Sequence, residues 1–440
     1  MARANLDNRG PRTHEGARAA NLTPELQLRR SVLSCLLWED QFYEDGVEIA
    51  GRIAELVPKV AAETVAALAV EAREQMNLRH APLLLVREMA RQRTHRGLVA
   101  DTLARVIQRA DELAEFVAIY WKDGRVPLSA QVKKGLAAAF PKFDEYQLGK
   151  YDRGGPIKLR DVLFLCHAKP RDEAQAAMWK KLTWGRLTVP DTWEVVLSAG
   201  ADKRAAWERL LEENKLGALA LLRNLRNIRE AGVDEQLVLS ALRSMKAGRV
   251  LPFRFLAASR YAPQWEEALE QAMFKSVAEQ EKLPGKTVLL VGISGSMTAP
   301  LSRRSEMLRT DAAYGLAVLL RETAEQVRVY SFSDRVVEIP ARRGFALRDA
   351  IDASQPHNNT YLGNAVEWVN KSERYDRLIV VTDEQAHDSV PAPKGNGYVI
   401  NVASYKNGVG YGKWTHINGW SESVIEYIRT LELESRTWLK

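Results

Sequence analysis

The sequence has little cysteine and no long apolar run. Its two cysteines, Cys35 and Cys166, both lie in apolar helical patterns, so we expect reduced core residues rather than a disulfide framework. No apolar stretch approaches the roughly 20 residues that span a bilayer, and the first residues lack the apolar segment of a secretory signal. These absences argue against disulfide-stapled secreted proteins and membrane-spanning proteins, and they predict a cytoplasmic protein.

The first 285 residues also lack long strand patterns. About a dozen short segments with helical periodicity follow one another from Leu26 onward, separated by glycine, proline and polar breaks. Such a series favours stacked helix pairs of the HEAT or armadillo kind, although no clean repeat period is visible. Residues 1–22 show no periodicity and predict a flexible or surface-lying arm. The helical module is therefore predicted to span residues 23–285.

The hydrophobic pattern of the sequence changes after Pro284 and Gly285. Buried or alternating strand patterns then alternate with helical ones, which predicts a doubly wound α/β domain with a mainly parallel sheet over residues 286–440. The predicted strands are 288–293, 327–332, 336–339, 377–381 and 398–402, and the predicted helices are 309–326, 360–370 and 423–431. The fold class expected for the whole chain is thus multidomain, α followed by α/β.

Oxygen-bearing side chains follow three of the predicted buried strands or their connections. Ser294 and Ser296 end the first strand, Thr360 lies in a later loop, and Asp383 follows the strand 377–381. Ligands bind at the carboxyl edge of such sheets, and hydroxyl and carboxylate oxygens suit Mg²⁺. The alternative is that the serine hydroxyls only satisfy nearby backbone groups. No nucleophile is paired with a base here, so catalysis is not indicated.

This arrangement resembles the metal-ion-dependent adhesion site of von Willebrand factor A domains. That site reads Asp-x-Ser-x-Ser, then Thr, then Asp, and the present chain matches it except at the first position, which is Gly292. Loss of a carboxylate lowers the charge at the cation and hence its affinity. Gly292 is an engineered or accidental substitution, a natural metal-free variant, or the mark of a weakened working site. We expect a once-functional Mg²⁺ site that this glycine impairs.

Several strings in the helical half point to a second family. They are LRR at 28–30, LLWEDQFYEDG at 36–46, RDVLFLCHAKP at 160–170, LLRNLRN at 221–227 and LPFRF at 251–255. They resemble the TROVE module of the Ro ribonucleoproteins in a bacterial version, and TROVE followed by an A domain is that family's architecture. The resemblance implies a monomeric ring of HEAT-like repeats closed by the A domain.

The same resemblance implies a function. In the Ro family the basic outer face of the ring binds Y RNA, and the central hole accepts single-stranded ends of misfolded non-coding RNA. Bacterial members use a Y-like RNA to tether an exoribonuclease in RNA quality control and stress recovery. Lys150 and His167 align with positions of the family's Y RNA surface, so they are the strongest single candidates in this chain.

The residues themselves are consistent with a polyanionic partner. The first 285 residues carry a net charge of +6 and the remainder +1, and a basic excess suits nucleic acid. Cations can neutralise phosphates while Phe143, Tyr146 and Tyr151 stack unpaired bases. The alternative is that the aromatic residues are half-buried core and the lysines a solvated face. The candidate cations here are Lys133, Lys134, Lys142, Lys150, Arg153, Lys158, Arg160, His167 and Lys169.

A separate group of arginines leaves two possibilities open. Arg223 and Arg226 are spaced i, i+3 and should share one helix face, and Arg254 follows in the LPFRF string. They either line the hole and meet RNA phosphates, or tie repeats together through buried carboxylates. A different class of function is a protein-recognition scaffold, in which the helical repeats grip a protein and the A domain holds an acidic ligand. A nuclease would need acidic clusters for two-metal chemistry, which Asp383 alone does not provide.

Overall fold

The structure is a computed structural model, and it describes most of the 440 residues. The described residues are 10–13, 15–19, 21–33, 46–74, 78–152, 155–188, 190–193, 202–248, 250, 252–278, 280–300, 307–403, 405, 407–418, 424–425, 428–429 and 431–432. Cys35, Arg153 and residues 423, 426, 427 and 430 of the predicted helix 423–431 lie outside this set. None of the described helices combines the length and apolarity needed to cross a membrane.

The chain forms two compact units, and the first comprises Thr23–Leu33 and Val47–Ala201. Its helices pack in succession along the chain: α3 contacts α4 and α5, α5 contacts α7, and α7 contacts α9. Buried leucine, valine and alanine side chains at helical spacing fill the space between them. The helices are α1 (Pro24–Leu33), α2 (Gly46–Leu56), α3 (Ala62–Glu74), α4 (His80–Arg91), α5 (Arg96–Val106), α6 (Ala110–Tyr120), α7 (Ala130–Ala139), α8 (Glu145–Tyr151), α9 (Leu159–Cys166) and α10 (Glu173–Thr183).

A buried carboxylate joins α3 to α6. Glu112, in the first turn of α6, is fully buried and accepts a hydrogen bond from the Arg73 guanidinium of α3 at 2.8 Å. Its other oxygen accepts from the amides of Gln108 and Arg109 at 2.8 and 3.0 Å. The Arg73 side chain is itself only 8% exposed. Buried opposite charges must be paired and hydrogen-bonded, and this pair meets both conditions.

The second compact unit contains Asp202–Lys440 and therefore unites five helices with the α/β domain. Its helical part packs closely on the domain, since a Cβ added at Gly315 would lie 2.5 Å from the Cβ of Phe253. The Arg260 guanidinium reaches buried Asp311 at 2.8 Å across the same contact. These helices are α11 (Lys203–Glu212), α12 (Ala218–Glu230), α13 (Glu235–Ser244), α14 (Pro252–Tyr261) and α15 (Glu266–Val277). The first strand begins at Leu283, two residues before the predicted boundary between residues 285 and 286, and this boundary lies within the unit.

A six-stranded sheet forms the core of the α/β domain. The strand order is β3-β2-β1-β4-β5-β6, and every pair is parallel except β2 with β3. The order reverses between β1 and β4, where a doubly wound sheet opens a crevice at its carboxyl edge. The elements are β1 (Leu283–Gly292), α16 (Arg309–Thr323), β2 (Ala324–Phe332), β3 (Val336–Glu338), α17 (Gly344–Asp352), α18 (Leu362–Ser372), β4 (Arg377–Thr382), β5 (Asn396–Asn401) and β6 (Trp414–Asn418).

The predicted strands all occur, and among the described residues of this domain one strand and one α-helix went unpredicted. β6 carries Thr415, His416 and Asn418, a polar sequence that gives no strand signal by itself, and it forms by pairing with β5. α17 is a short helix of nine residues. Gly292 is the last residue of β1, which ends one residue before the predicted strand end at 293.

The described part of the N-terminal arm lies on the α/β domain. The Thr13 hydroxyl donates to the Ala386 carbonyl at 2.8 Å, and the Asn407 side chain donates to the Arg12 carbonyl at 2.7 Å. Glu15 lies 3.2 Å from the His387 ring, and Ala17 joins the apolar core of the sheet. This segment therefore covers the loop that follows β4.

Candidate functional site

The predicted basic residues occupy the helices α7 to α10 and their connections. Lys134 is exposed and Lys133 half-buried on α7, while His167 and Lys169 are exposed after α9. His167 ends α9 in the left-handed conformation, with φ of 55°. The backbone thus turns sharply at His167, which presents the ring and the following Lys169 at the surface.

Lys142 has a structural role in this arrangement. Its ammonium donates to the carbonyls of Ala104 and Ile107, the latter at 3.1 Å, at the end of α5. Cations stabilise the unsatisfied carbonyls of a helix C-terminus. Burial of the ammonium lowers its pKa. Lys142 is therefore already used to hold two helices together.

Two predicted aromatic residues are accessible and the third is not. Phe143 is buried, at 3% exposure, whereas Tyr146 on α8 is 55% exposed. Two cations lie near the half-buried ring of Tyr151, with Arg109 Cζ at 4.8 Å and Lys150 Nζ at 5.6 Å from its centroid. Phe143 is therefore a core residue, as the alternative interpretation predicted. On α8, the Tyr146 ring is exposed and the Tyr151 ring lies near two cations.

Trp184 is a candidate that the sequence analysis missed. It caps the end of α10, is 58% exposed, and has Lys180 Nζ at 4.6 Å and Arg186 Cζ at 5.4 Å from its ring. Cations over tryptophan faces gain modest energy at exposed sites, and an exposed tryptophan is a suitable platform for an unpaired base. In the sequence, the signal for an RNA-binding role of Trp184 was that two lysines precede it and Arg186 follows it.

An ion pair links α10, whose C-cap residue is Trp184, to α8, which carries Tyr146 and Tyr151. Lys181 pairs with Glu145 at 2.8 Å, and the Thr188 hydroxyl donates to the same carboxylate at 3.3 Å. The hydrogen bond from Lys181 holds the pKa of Glu145 below its ordinary value, so the carboxylate stays charged near neutral pH. We define the α8–α10 patch as Tyr146, Lys150, Tyr151, Lys180, Trp184 and Arg186.

The three separate arginines lie elsewhere, in the second compact unit. Arg223 and Arg226 are both exposed on α12, as their spacing predicts. Arg226 contacts Glu230 at 3.7 Å and lies over the Tyr261 ring at 5.5 Å. Arg254 is half-buried over the Phe253 ring at 5.0 Å. Arg226 and Arg254 therefore contribute to helix packing, and Arg223 to the surface of α12.

The predicted oxygen ligands gather at the carboxyl edge of the sheet. The Ser294 and Ser296 hydroxyls lie 3.1 Å apart, and Ser296 donates to Asp383 Oδ2 at 2.5 Å. Thr360 lies on the adjoining loop, and its backbone amide donates to Nδ1 of the His387 ring at 3.2 Å. Asn358 and Asn359 hold that loop by donating to Asp334 at 2.6 and 2.8 Å, and these hydrogen bonds lower the pKa of Asp334.

An arginine that the sequence analysis did not single out also lies at this edge. Arg309, the first residue of α16, is 0% exposed. Its Nη1 donates to the Ser296 carbonyl at 3.2 Å and lies 3.8 Å from Asp383 Oδ2. Asp383 is also 0% exposed, so two opposite charges are buried together where the loops after β1 and β4 meet.

Position 292 is tightly enclosed. A Cβ added to Gly292 would lie 3.2 Å from Phe332 Cζ, 3.2 Å from the Val381 carbonyl oxygen and 3.4 Å from Thr382 Oγ1. The first two distances are closer than ordinary van der Waals contact, so a side chain here requires its neighbours to move by a few tenths of an ångström. The glycine is therefore matched to its present surroundings.

Comparisons with known proteins match parts of the chain to a domain family and to two curated relatives. Residues 176–362 match the TROVE domain. Over 233 residues, 49% of the chain, the sequence is 30% identical to telomerase protein component 1 of Mus musculus, covering 8% of that protein. Over 266 residues, 55% of the chain, it is 23% identical to RNA-binding protein RO60 of Caenorhabditis elegans, covering 40% of that protein. The chain thus spans less than half the length of these two relatives.

A solved structure shares the fold over nearly the whole chain. The crystal structure of the Deinococcus radiodurans RO (RSR) protein superposes with a TM-score of 0.63, covering 92% of this chain and 98% of that one. The sequences are 18% identical, so this likeness concerns the fold. It includes both the helical part and the α/β part described above.

Proposed function

Because this chain is a member of the Ro family of TROVE-domain proteins, we propose that it is a non-catalytic RNA-binding protein. The observation that carries the proposal is the α8–α10 patch, where an exposed tryptophan and tyrosine lie among lysines and an arginine. Aromatic faces stack unpaired bases and cations neutralise phosphates, which is the recognition expected for single-stranded or loop RNA.

Finer parts of the proposal follow from the family. The basic residues of α7 to α10 bind a Y-like RNA, and a central hole in a ring of HEAT-like repeats takes single-stranded ends of misfolded RNA. The α/β domain is of the von Willebrand A type. The protein acts in the cytoplasm, in RNA quality control and stress recovery, with an exoribonuclease tethered through the RNA. Support for RNA binding comes from the basic excess of the first 285 residues.

Lys150 and His167 provide the direct test. Lys150→Ala combined with His167→Asn should weaken binding of a structured RNA with a single-stranded tail about tenfold, a loss of about 1.4 kcal/mol. Asparagine is chosen because it adopts the left-handed backbone of residue 167 with little strain. Filter binding or fluorescence anisotropy at fixed salt measures the affinity.

The matched control removes the same residue types from the α/β domain. Lys371→Ala with His357→Ser changes an exposed Lys371–Glu367 pair and a partly exposed histidine, and it should leave RNA affinity unchanged. Equal affinities of both double variants and the wild type would contradict the assigned surface. They would favour the alternative function, a scaffold that recognises protein through its helical repeats.

A further inference from the structure

The oxygen atoms at the carboxyl edge of the sheet do not fit a divalent cation. Such an ion needs several hard oxygen ligands and gains most from carboxylates. The one carboxylate among the predicted ligands, Asp383, already accepts from Ser296 at 2.5 Å through its Oδ2. The same oxygen lies 3.8 Å from the Arg309 guanidinium, so an ion bound there would lie close to a fixed positive charge and be repelled by it.

We propose that Arg309 supplies, as part of the chain, the positive charge that a metal ion supplies at the adhesion site this sequence resembles. Its guanidinium joins the loop after β1, through the Ser296 carbonyl at 3.2 Å, to the loop after β4, through Asp383. The site is a permanent cross-link between two loops and does not depend on a metal.

The count of buried charges supports this assignment. Two carboxylates balance a divalent cation, as the resembled pattern provides with its first and last aspartates. Here Gly292 leaves Asp383 as the one carboxylate of the pattern, and the singly charged Arg309 guanidinium lies 3.8 Å from it, both residues at 0% exposure. Buried charges are costly unless paired, and arginine keeps its charge at every physiological pH. In charge, Gly292 and Arg309 therefore match each other, because the site has one carboxylate of the pattern and one singly charged cation.

This inference concerns the α/β domain and is independent of RNA binding. It bears on the scaffold alternative, because an acidic ligand held on a bound metal is not available to a site whose cation is a buried guanidinium. It also changes the meaning of Gly292: restoring aspartate there adds a second carboxylate without removing the arginine. The position is crowded as well, with Phe332 Cζ and the Val381 oxygen each 3.2 Å from an added Cβ.

Thermal unfolding of four full-length proteins tests the proposal: wild type, Gly292→Asp, Arg309→Ser and the double variant. Each is melted in EDTA and in millimolar MgCl₂. The wild type and Gly292→Asp should show no Mg²⁺-dependent shift, and Arg309→Ser should melt lower than the wild type in EDTA. The double variant, with two carboxylates and no guanidinium, should gain about 5 °C on adding Mg²⁺. Arg342→Ser, which changes an exposed arginine of the same domain, serves as control and should melt like the wild type.

The wild-type protein alone can overturn the proposal, whether or not the variants fold. A rise of its melting temperature in MgCl₂ that EDTA reverses would show that Arg309 has not replaced the metal. Stoichiometric binding of Mn²⁺ to the wild type, measured by electron paramagnetic resonance, would show the same. An Arg309→Ser variant as stable as the wild type would mean that the guanidinium does not hold the loops together.

Discussion

RNA affinity should fall about 100-fold when the salt concentration rises from 50 to 200 mM. The estimate assumes about four phosphate contacts, each adding roughly 0.7 to 0.9 to the slope of log affinity against log salt. The estimate counts four cations that lie in the α8–α10 patch or on α7, the preceding helix. They are Lys134, Lys150, Lys180 and Arg186. Titrations of one RNA at four salt concentrations give the slope.

The two double variants provide a second test of the salt dependence. Lys150→Ala with His167→Asn should reduce the slope by about one, because one lysine–phosphate contact is lost. The Lys371→Ala, His357→Ser control should keep the wild-type slope. A slope near zero in the wild type would contradict the proposal that lysine and arginine side chains bind RNA phosphates.

Glu112→Ala should lower the free energy of unfolding by about 3–5 kcal/mol, the typical cost of stranding one member of a buried ion pair. Without Glu112, the Arg73 guanidinium at 8% exposure loses its carboxylate partner. The amides of Gln108 and Arg109 lose the oxygen that caps the start of α6. Urea denaturation followed by circular dichroism measures the change.

Glu74→Ala is the matched control in the same compact unit. Glu74 pairs with Arg105 at 2.8 Å, but their side chains are 39% and 59% exposed. Exposed pairs contribute at most about 1 kcal/mol. If both variants lost equally little stability, burial would not be what gives the Glu112 interaction its strength.

The sheet was largely predictable, because its strands carry their own signal. β1 and β4 each contain a continuous run of valine, leucine and isoleucine, residues 288–291 and 378–381, that is buried throughout, and such runs occur in parallel sheets covered on both faces. β6 could not be predicted, since its polar residues become a strand only through pairing with β5. Its signal lies in the partner strand and not in its own sequence.

The candidate sites were predictable in residue type but not in their packing. Trp179 and Trp184 lie five residues apart on or at the end of one helix, yet the first is 4% and the second 58% exposed. Trp179 packs edge-on against Phe140 at 5.3 Å, a contact between distant parts of the chain. Arg309 is similar: thirteen residues beyond Ser296, it looks like a polar helix start, and only the packed loops reveal its position beside Asp383.

Photocrosslinking tests the central claim, that the surface of α7 to α10 binds RNA, most directly. The full-length protein is irradiated with a structured RNA that carries a single-stranded tail, and the crosslinked peptides are identified by mass spectrometry. The account predicts crosslinks at Tyr146, Tyr151, His167 or Trp184, with a strong reduction in the Lys150→Ala, His167→Asn variant. Crosslinks confined to the α/β domain, or equally strong in the wild type and this variant, would contradict it.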